Sequence, residues 1–193
     1  MLKEHPTLGC CGIDCGLCPR YYTEGPSKCP GCFGEGFFDK HPSCAFITCC
    51  VKKRSLEICA LCPDFPCIKF EKETGEKDSF VTHRRVMHNQ NFIKEHGIDK
   101  FLEQQNERIN ILKKMLANYN DGNCKNLFCL AAALLSLDNL KKALKDADQE
   151  VRIHAISQND YKIKAKIMKA ILSEFDLLDP CITKGTSSGF TNK

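Results

Sequence analysis

Twelve of the fifteen cysteines of this 193-residue chain lie within its first 67 positions. They are Cys10, Cys11, Cys15, Cys18, Cys29, Cys32, Cys44, Cys49, Cys50, Cys59, Cys62 and Cys67; only Cys124, Cys129 and Cys181 lie beyond. The same stretch is rich in Gly and Pro and poor in aliphatic runs, so it buries too little apolar surface to offset its chain entropy unaided. A segment of this kind folds only when cross-linked, by disulfides or by metal. From about residue 70 the pattern changes to charge and helical period. The expected organisation is a cysteine-rich metal-binding domain over 1–70, a helical domain over 71–181 and a disordered Gly/Ser/Thr-rich tail over 182–193.

Disulfides would require an oxidising compartment. The stretch Met1-Leu2-Lys3-Glu4-His5-Pro6 has no apolar core of a secretory signal, and the cysteine total is odd. A reduced, cytoplasmic chain whose thiolates hold metal is therefore expected. No run approaches the roughly 20 apolar residues that span a bilayer, and the longest, Leu127 to Leu137, is too short, so no membrane association is expected. A net charge of +4 makes no case for nucleic acid. Tyr21, Tyr22, Phe33, Phe37 and Phe38 have only Arg20, Lys28 and Lys40 as nearby cations, which supports RNA or DNA weakly. The expected partner is a protein.

Four cysteine groups have metal-ligand spacing. They are Cys11-Gly12-Ile13-Asp14-Cys15-Gly16-Leu17-Cys18-Pro19, Cys29-Pro30-Gly31-Cys32, Cys44 to Cys49, and Cys59-Ala60-Leu61-Cys62-Pro63-Asp64-Phe65-Pro66-Cys67. In a tight Cys-x-x-Cys turn both side chains face one centre, and backbone N–H groups hydrogen-bond the sulfurs and stabilise their charge. Ten residues are the candidate ligands: Cys11, Cys15, Cys18, Cys29, Cys32, Cys44, Cys49, Cys59, Cys62 and Cys67. They suffice for two four-coordinate sites and two further thiols, which pack in the core, bridge, or join a third site with Cys10, Cys50 or His41. The spacing does not assign the partition. Zinc held structurally is the expected cofactor, with an iron–sulfur cluster as the alternative, because both accept four thiolates. Cys11, Cys15 and Cys18 also have the spacing of a radical S-adenosylmethionine motif, but residues 19 to 70 supply more cysteines where such an enzyme would need alternating strands and helices.

The order of these groups resembles the prokaryotic domain of unknown function family 3795. Cys11 to Pro19, Cys29 to Cys32, Cys44 to Cys49 and Cys59 to Cys67 carry the resemblance, and Gly97 to Gln105 is similar to the family's downstream helix. The resemblance implies metal binding, usually of zinc, and no defined activity. Cys10 and Cys50 are extra to its pattern.

Phe80, Arg84, Met87, Asn91 and Phe92 suggest a helix ending near His96-Gly97. Ile98, Phe101, Leu102, Ile109, Leu112, Met115 and Leu116 share one face of a helix running to about Ala117, and Asn118 to Asn123 reads as a turn. Leu127, Leu130, Leu134 and Leu137 form a further stripe, Ser136 or Asp138 caps the next helix through Leu140 and Leu144, and a last helix carries Ile163, Ile167, Ala170, Ile171, Phe175 and Leu178 before Asp179-Pro180. Lys162, Lys164, Lys166 and Lys169 are expected on its wet face. Cys124 and Cys129 are expected as buried structural thiols, and His83 and His88 as solvated side chains. The fold class is thus mainly α, with an irregular zinc-knuckle-like N-terminal domain and a small all-helical domain. No phosphate loop, Ser-centred elbow or His-Glu zinc pair is present, so the reading leans away from an enzyme and towards a zinc-stabilised interaction module; the alternative is an iron–sulfur protein for electron transfer or catalysis. Cys50, beside Lys52, Lys53 and Arg54, is the expected reactive thiol.

Overall fold

The computed structural model describes residues 3–41, 43–71 and 83–175, except the side chains of Glu71 and His83. Its helices are α1 (Ile68–Glu71), α2 (Val86–His96), α3 (Ile98–Tyr119), α4 (Lys125–Leu134), α5 (Leu137–Ile153) and α6 (Tyr161–Ser173). The cysteine-rich segment before them is built from short 3-10 turns and one wide π-helical stretch, Ile47–Lys53. Among the described residues there is no strand. The mainly helical class expected from the sequence is what forms.

Helices α3 to α6 pack on one another around Leu112, Met115, Phe128, Leu140, Ala143, Ala165 and Met168, all fully buried. The α3 stripe holds: Phe101, Ile109, Leu112 and Met115 are buried. Ser136 Oγ caps α5 by accepting from the Asn139 N–H at 3.1 Å, and Asp160 caps α6 by accepting from Ile163 N–H at 3.1 Å, each satisfying a donor that the first helical turn leaves unpaired.

Three faces differ from their leucine and isoleucine stripes. In α4 the core residues are Phe128, Cys129, Ala131, Ala132, Ala133 and Leu134, while Leu130 is 37% exposed; small alanines let α4 approach α3 closely. In α6, Ala165, Met168, Ile171 and Leu172 face inward and Ile163 is 41% exposed. Lys164, expected to be wet, is only 7% exposed. Its stem lies under two rings, with Nζ 5.6 Å from the Tyr119 centroid and 5.3 Å from that of Tyr161, and Nζ donates to the Gln158 carbonyl at 3.2 Å. In α2 the buried residues are Asn89, Gln90 and Ile93, with Val86 and Met87 half-buried and Arg84 and Asn91 exposed. Phe80, Leu178, Asp179-Pro180, Cys181 and the tail lie outside the described residues.

The polar face of α2 is buried because it meets loop backbone. Asn89 Nδ2 donates to the Gly12 carbonyl at 2.8 Å and to Asp14 Oδ2 at 2.9 Å. Gln90 Nε2 donates to the Cys10 carbonyl at 3.0 Å. From α3, Gln105 Nε2 donates to the Thr7 carbonyl at 3.1 Å and to Asp14 Oδ1 at 3.2 Å. Also from α3, Arg108 Nη1 donates to the carbonyls of Ala132 and Leu135 at 2.8 and 2.7 Å. It thereby places a cation on the C-terminal end of α4, where carbonyls are unpaired and the helix dipole is negative. Leu17, from the cysteine-rich segment, is part of the helical core, and Leu8, Ile58 and Ala60 pack with Ile93 and Phe101. The two parts therefore share buried surface.

Replacing Asn89 leaves the Gly12 carbonyl and an Asp14 oxygen without their donor, whereas Asn91 on the same helix faces solvent. Asn89→Ala is expected to destabilise by about 2 kcal/mol and Asn91→Ala by less than about 0.5 kcal/mol in denaturant titrations. Equal losses would mean that the buried face of α2 is misassigned.

Candidate metal centre

Two of the Cys-x-x-Cys motifs fold alike. Cys15–Leu17 and Cys59–Leu61 each form a 3-10 turn, closed by the Cys18 N–H on the Cys15 carbonyl at 3.1 Å and the Cys62 N–H on the Cys59 carbonyl at 2.9 Å. Both continue into Pro, at Pro19 and Pro63. The Cys29-Pro-Gly-Cys32 loop is anchored instead to distant backbone, with Cys29 N–H on the Arg20 carbonyl at 2.9 Å and Cys32 N–H on the Pro6 carbonyl at 2.7 Å. Gly31 there has φ +87°, and a Cβ on it would stand 2.3 Å from the Pro6 carbonyl oxygen, so no other residue fits the loop. Gly12 is held likewise: φ is +97° and its Cβ would meet the Val86 carbonyl oxygen at 2.8 Å.

Backbone amides point at several of the sulfurs. Cys10 N–H donates to Cys32 Sγ at 3.5 Å. Cys18 accepts from the backbone of Arg20 and Tyr21, and Cys11 from that of Ile13. Arg54 Nη1 donates to Cys62 Sγ at 3.1 Å, and Nη2 pairs with Asp64 at 2.5 Å.

Nine thiols gather in one cluster: Cys10, Cys11, Cys15, Cys32, Cys44, Cys50, Cys59, Cys62 and Cys67, packed with Phe46, Ile47, Val51, Phe65 and Phe70. The rings of Phe46 and Phe65 lie 5.0 and 5.1 Å from that of Phe70 and pack against one side of the sulfurs. Cys49, with Cys50, Cys59, Cys62 and Cys67, lines a small cavity of about 20 Å3 beside these rings. Cys18 and Cys29 stand apart from the cluster. They interact electrostatically with each other and with Cys15, and Cys29 Sγ lies 3.2 Å from His41 Nε2. Cys129 of α4 is buried close enough to Cys18 to feel its charge, and Cys124 is buried with its thiol donating to Asp121 Oδ1 at 3.1 Å.

Cys10 and Cys50, outside the ten candidates, sit at the centre of the cluster. Cys10 Sγ lies 4.0 Å from Cys32 Sγ and also bonds Cys50, which in turn bonds Cys59. Along this chain the sulfurs alternate in character. Hydrogen bonds with Cys10 and then Cys59, assisted by the Lys3 charge and opposed by burial, pull the Cys50 thiol down to about 4. The bond with Cys10 likewise lowers Cys32. Cys10, which serves Cys32 and Cys50, is pushed up, as is Cys59 by its bond with Cys50. Burial raises Cys11 to about 12. The only signals for Cys10 and Cys50 in the sequence were the doublets Cys10-Cys11 and Cys49-Cys50, in which the first doublet's Cys10 and the second's Cys50 are the fully buried members.

The reason expected for Cys50 reactivity is corrected. Arg54 is engaged with Cys62 and Asp64, and Lys52 lies over the rings of Phe33 and Phe38. The cation that acts on Cys50 is Lys3, whose side chain is fully buried and pairs with Glu57 at 2.9 Å. Burial pushes the Glu57 carboxyl up, but bonds from Lys3 and the His5 and Glu4 backbone hold it below its ordinary value. Cys50 itself is 2% exposed, out of reach of a reagent.

The donor chemistry suits a thiophilic ion: thiols packed against aromatic rings, with N–H groups aimed at sulfur. Paired thiols are present, Cys15 with Cys18 and Cys59 with Cys62, each pair on one 3-10 turn. Completeness is a different matter: among the described residues no three or more Cys, His, Asp or Glu side chains are grouped as they would be around an ion. The fit is in donor type and in pairs.

Residues 7–72 match the model of a family described as protein of unknown function DUF3795. This segment of the chain is similar to DUF3795. All ten candidate ligands, and Cys10 and Cys50, fall inside the DUF3795 match, whereas helices α2 to α6, including residues 97–105, fall outside it. No curated protein and no solved structure matches the chain.

Under native conditions, buried Cys10 and Cys50 are expected to resist alkylation until the fold opens, as mapped by mass spectrometry of timed iodoacetamide labelling with and without denaturant. Rapid modification of Cys50 would contradict its burial.

Proposed function

We propose that the DUF3795 segment is a structural metal module that holds zinc through thiolates and, once locked, serves as an interaction surface for a protein partner. The observation that carries this reading is the gathering of nine thiols, packed with Phe46, Phe65 and Phe70, in a segment with little other core. In such a segment the free energy of metal binding is folding free energy. One ion is assigned to Cys15, Cys18, Cys29 and Cys32: two paired motifs in which Cys15 feels the charge of each of the other three. A second is assigned to Cys49, Cys59, Cys62 and Cys67, which share the cavity wall. Cys11 and Cys44, which interact electrostatically, are the remaining two of the ten. Zinc there would supply cross-links and no chemistry of its own. Exposed Phe38, Leu61 and Ile68, all on this segment, are side chains that a protein partner would cover. Among the described residues no helix is long and apolar enough to cross a membrane.

The test is elemental analysis, acid-labile sulfide and a visible spectrum on untagged protein purified without air from cells given iron and zinc. About two zinc per chain, no sulfide and no absorption near 400 nm are expected. Cys18→Ser and Cys62→Ser should each lower the zinc content by about one ion per chain, while Cys124→Ser leaves it unchanged. Iron with matching sulfide would replace zinc by a cluster, and metal-free folded protein would overturn the proposal.

A further inference from the structure

We propose that the cleft between the Asp14 loop and helices α2 and α3 binds the terminal group of a small oxyanion, phosphate-like in charge and shape. Arg85, His88, Arg108 and Asp14 line the cleft, and Phe92 and Phe101 form its walls. It lies on the helical side of the seam, and the inference does not depend on which metal the thiols hold.

Arg108 is buried and Arg85 is half-buried, and exposed His88 stands at the rim. Among the described residues one carboxylate, that of Asp14, faces these groups, and it acts electrostatically on all three. Its two oxygens already accept the amide hydrogens of Asn89 and Gln105, at 2.9 and 3.2 Å. That bonding ties the cysteine loop to the helices and would need no guanidinium. Arg108 has a structural use for Nη1, on the Ala132 and Leu135 carbonyls. Arg85 has no such use among the hydrogen bonds described, and directly precedes the first turn of α2, an end with partial positive charge.

The electrostatics agree with a surplus of positive potential. Burial holds both guanidiniums below their ordinary values, Arg108 at about 10. Burial and the two arginines also hold His88 below the usual imidazole range. Desolvated like charges in one cleft are costly unless an opposite charge enters. A planar guanidinium beside a second one offers the forked donors that oxyanions accept.

Size limits the ligand. The enclosed space is about 10 Å3, room for roughly one water-sized group. One or two oxygens of a phosphoryl group enter, and the rest of the ligand remains at the rim between Arg85 and His88. The rings of Phe92 and Phe101, 6.3 Å apart between centroids, would flank an organic substituent.

The experiment is calorimetric titration of the purified full-length protein, as isolated, with inorganic phosphate and separately with phenyl phosphate, in chloride at constant ionic strength. Saturable binding of at least one probe is expected, weakened about tenfold or more in Arg85→Gln, and also weakened in Arg85→Lys, which keeps the charge and loses the fork. Both variants are first checked for an unchanged unfolding midpoint. Lys94→Gln, exposed on the same helix, should leave binding unaltered. Equal affinity for the two probes would assign the cleft to the free ion, and tighter phenyl phosphate binding to a phosphate carried on a larger molecule. No saturable binding of either probe up to about 10 mM, or affinities unchanged in both Arg85 variants, would overturn the proposal.

Discussion

Everything else in the molecule depends on how three buried amides meet the cysteine loops. Asn89, Gln90 and Gln105 supply donors to the carbonyls of Gly12, Cys10 and Thr7 and to both oxygens of Asp14. A loop that turns back on itself to present sulfurs cannot satisfy its own carbonyls, and an unpaired buried carbonyl costs as much as a lost hydrogen bond. The helices therefore act as the partner that a regular sheet would otherwise provide. The two halves are energetically joined even though their compositions are unlike. Gln90 Oε1, buried without a partner among the described residues, shows how closely these groups are committed: turning the amide over would lose the bond to the Cys10 carbonyl.

The sulfur cluster obeys the same logic with weaker donors. Thiols contact thiols in the order Cys32, Cys10, Cys50, Cys59, and Cys32 and Cys50 are the two drawn towards the thiolate. Lys3 stands near enough to favour the negative form, and Glu57 fixes Lys3 in place. Aromatic rings pack against one side of this set, and burial strengthens each interaction and also makes a lone negative sulfur costly.

Much of the architecture was legible in the residues. The α3 stripe, the Gly97 stop and the Ser136 cap all follow from local rules, because a long amphipathic helix buries whatever period its sequence repeats. The Cys15–Cys18 and Cys59–Cys62 turns were equally plain, since they need only four adjacent residues and a following Pro. Faces built from small or polar residues were not. Ala131 and Ala132 pack α4 because of their size, and Leu130 is left outside; Asn89 and Gln90 look like solvent-facing residues until a loop backbone is placed against them. Lys164 reads as a wet charge unless Tyr119 and Tyr161 are known to stand over it.

By itself the sequence determined that Cys15–Cys18 and Cys59–Cys62 form paired turns and that the chain described from residue 86 onward is mainly helical. Each of these depends on composition or on contacts a few residues apart. Only the tertiary structure decided that Cys10 and Cys50 join Cys32 to Cys59, that Lys3 acts on Cys50 while Arg54 turns to Cys62, and that Arg85 and Arg108 share a cleft with Asp14. Those groups are separated by up to 94 positions in the chain. Their meeting is set by the packing of α2 and α3 on the loops, which no local spacing encodes.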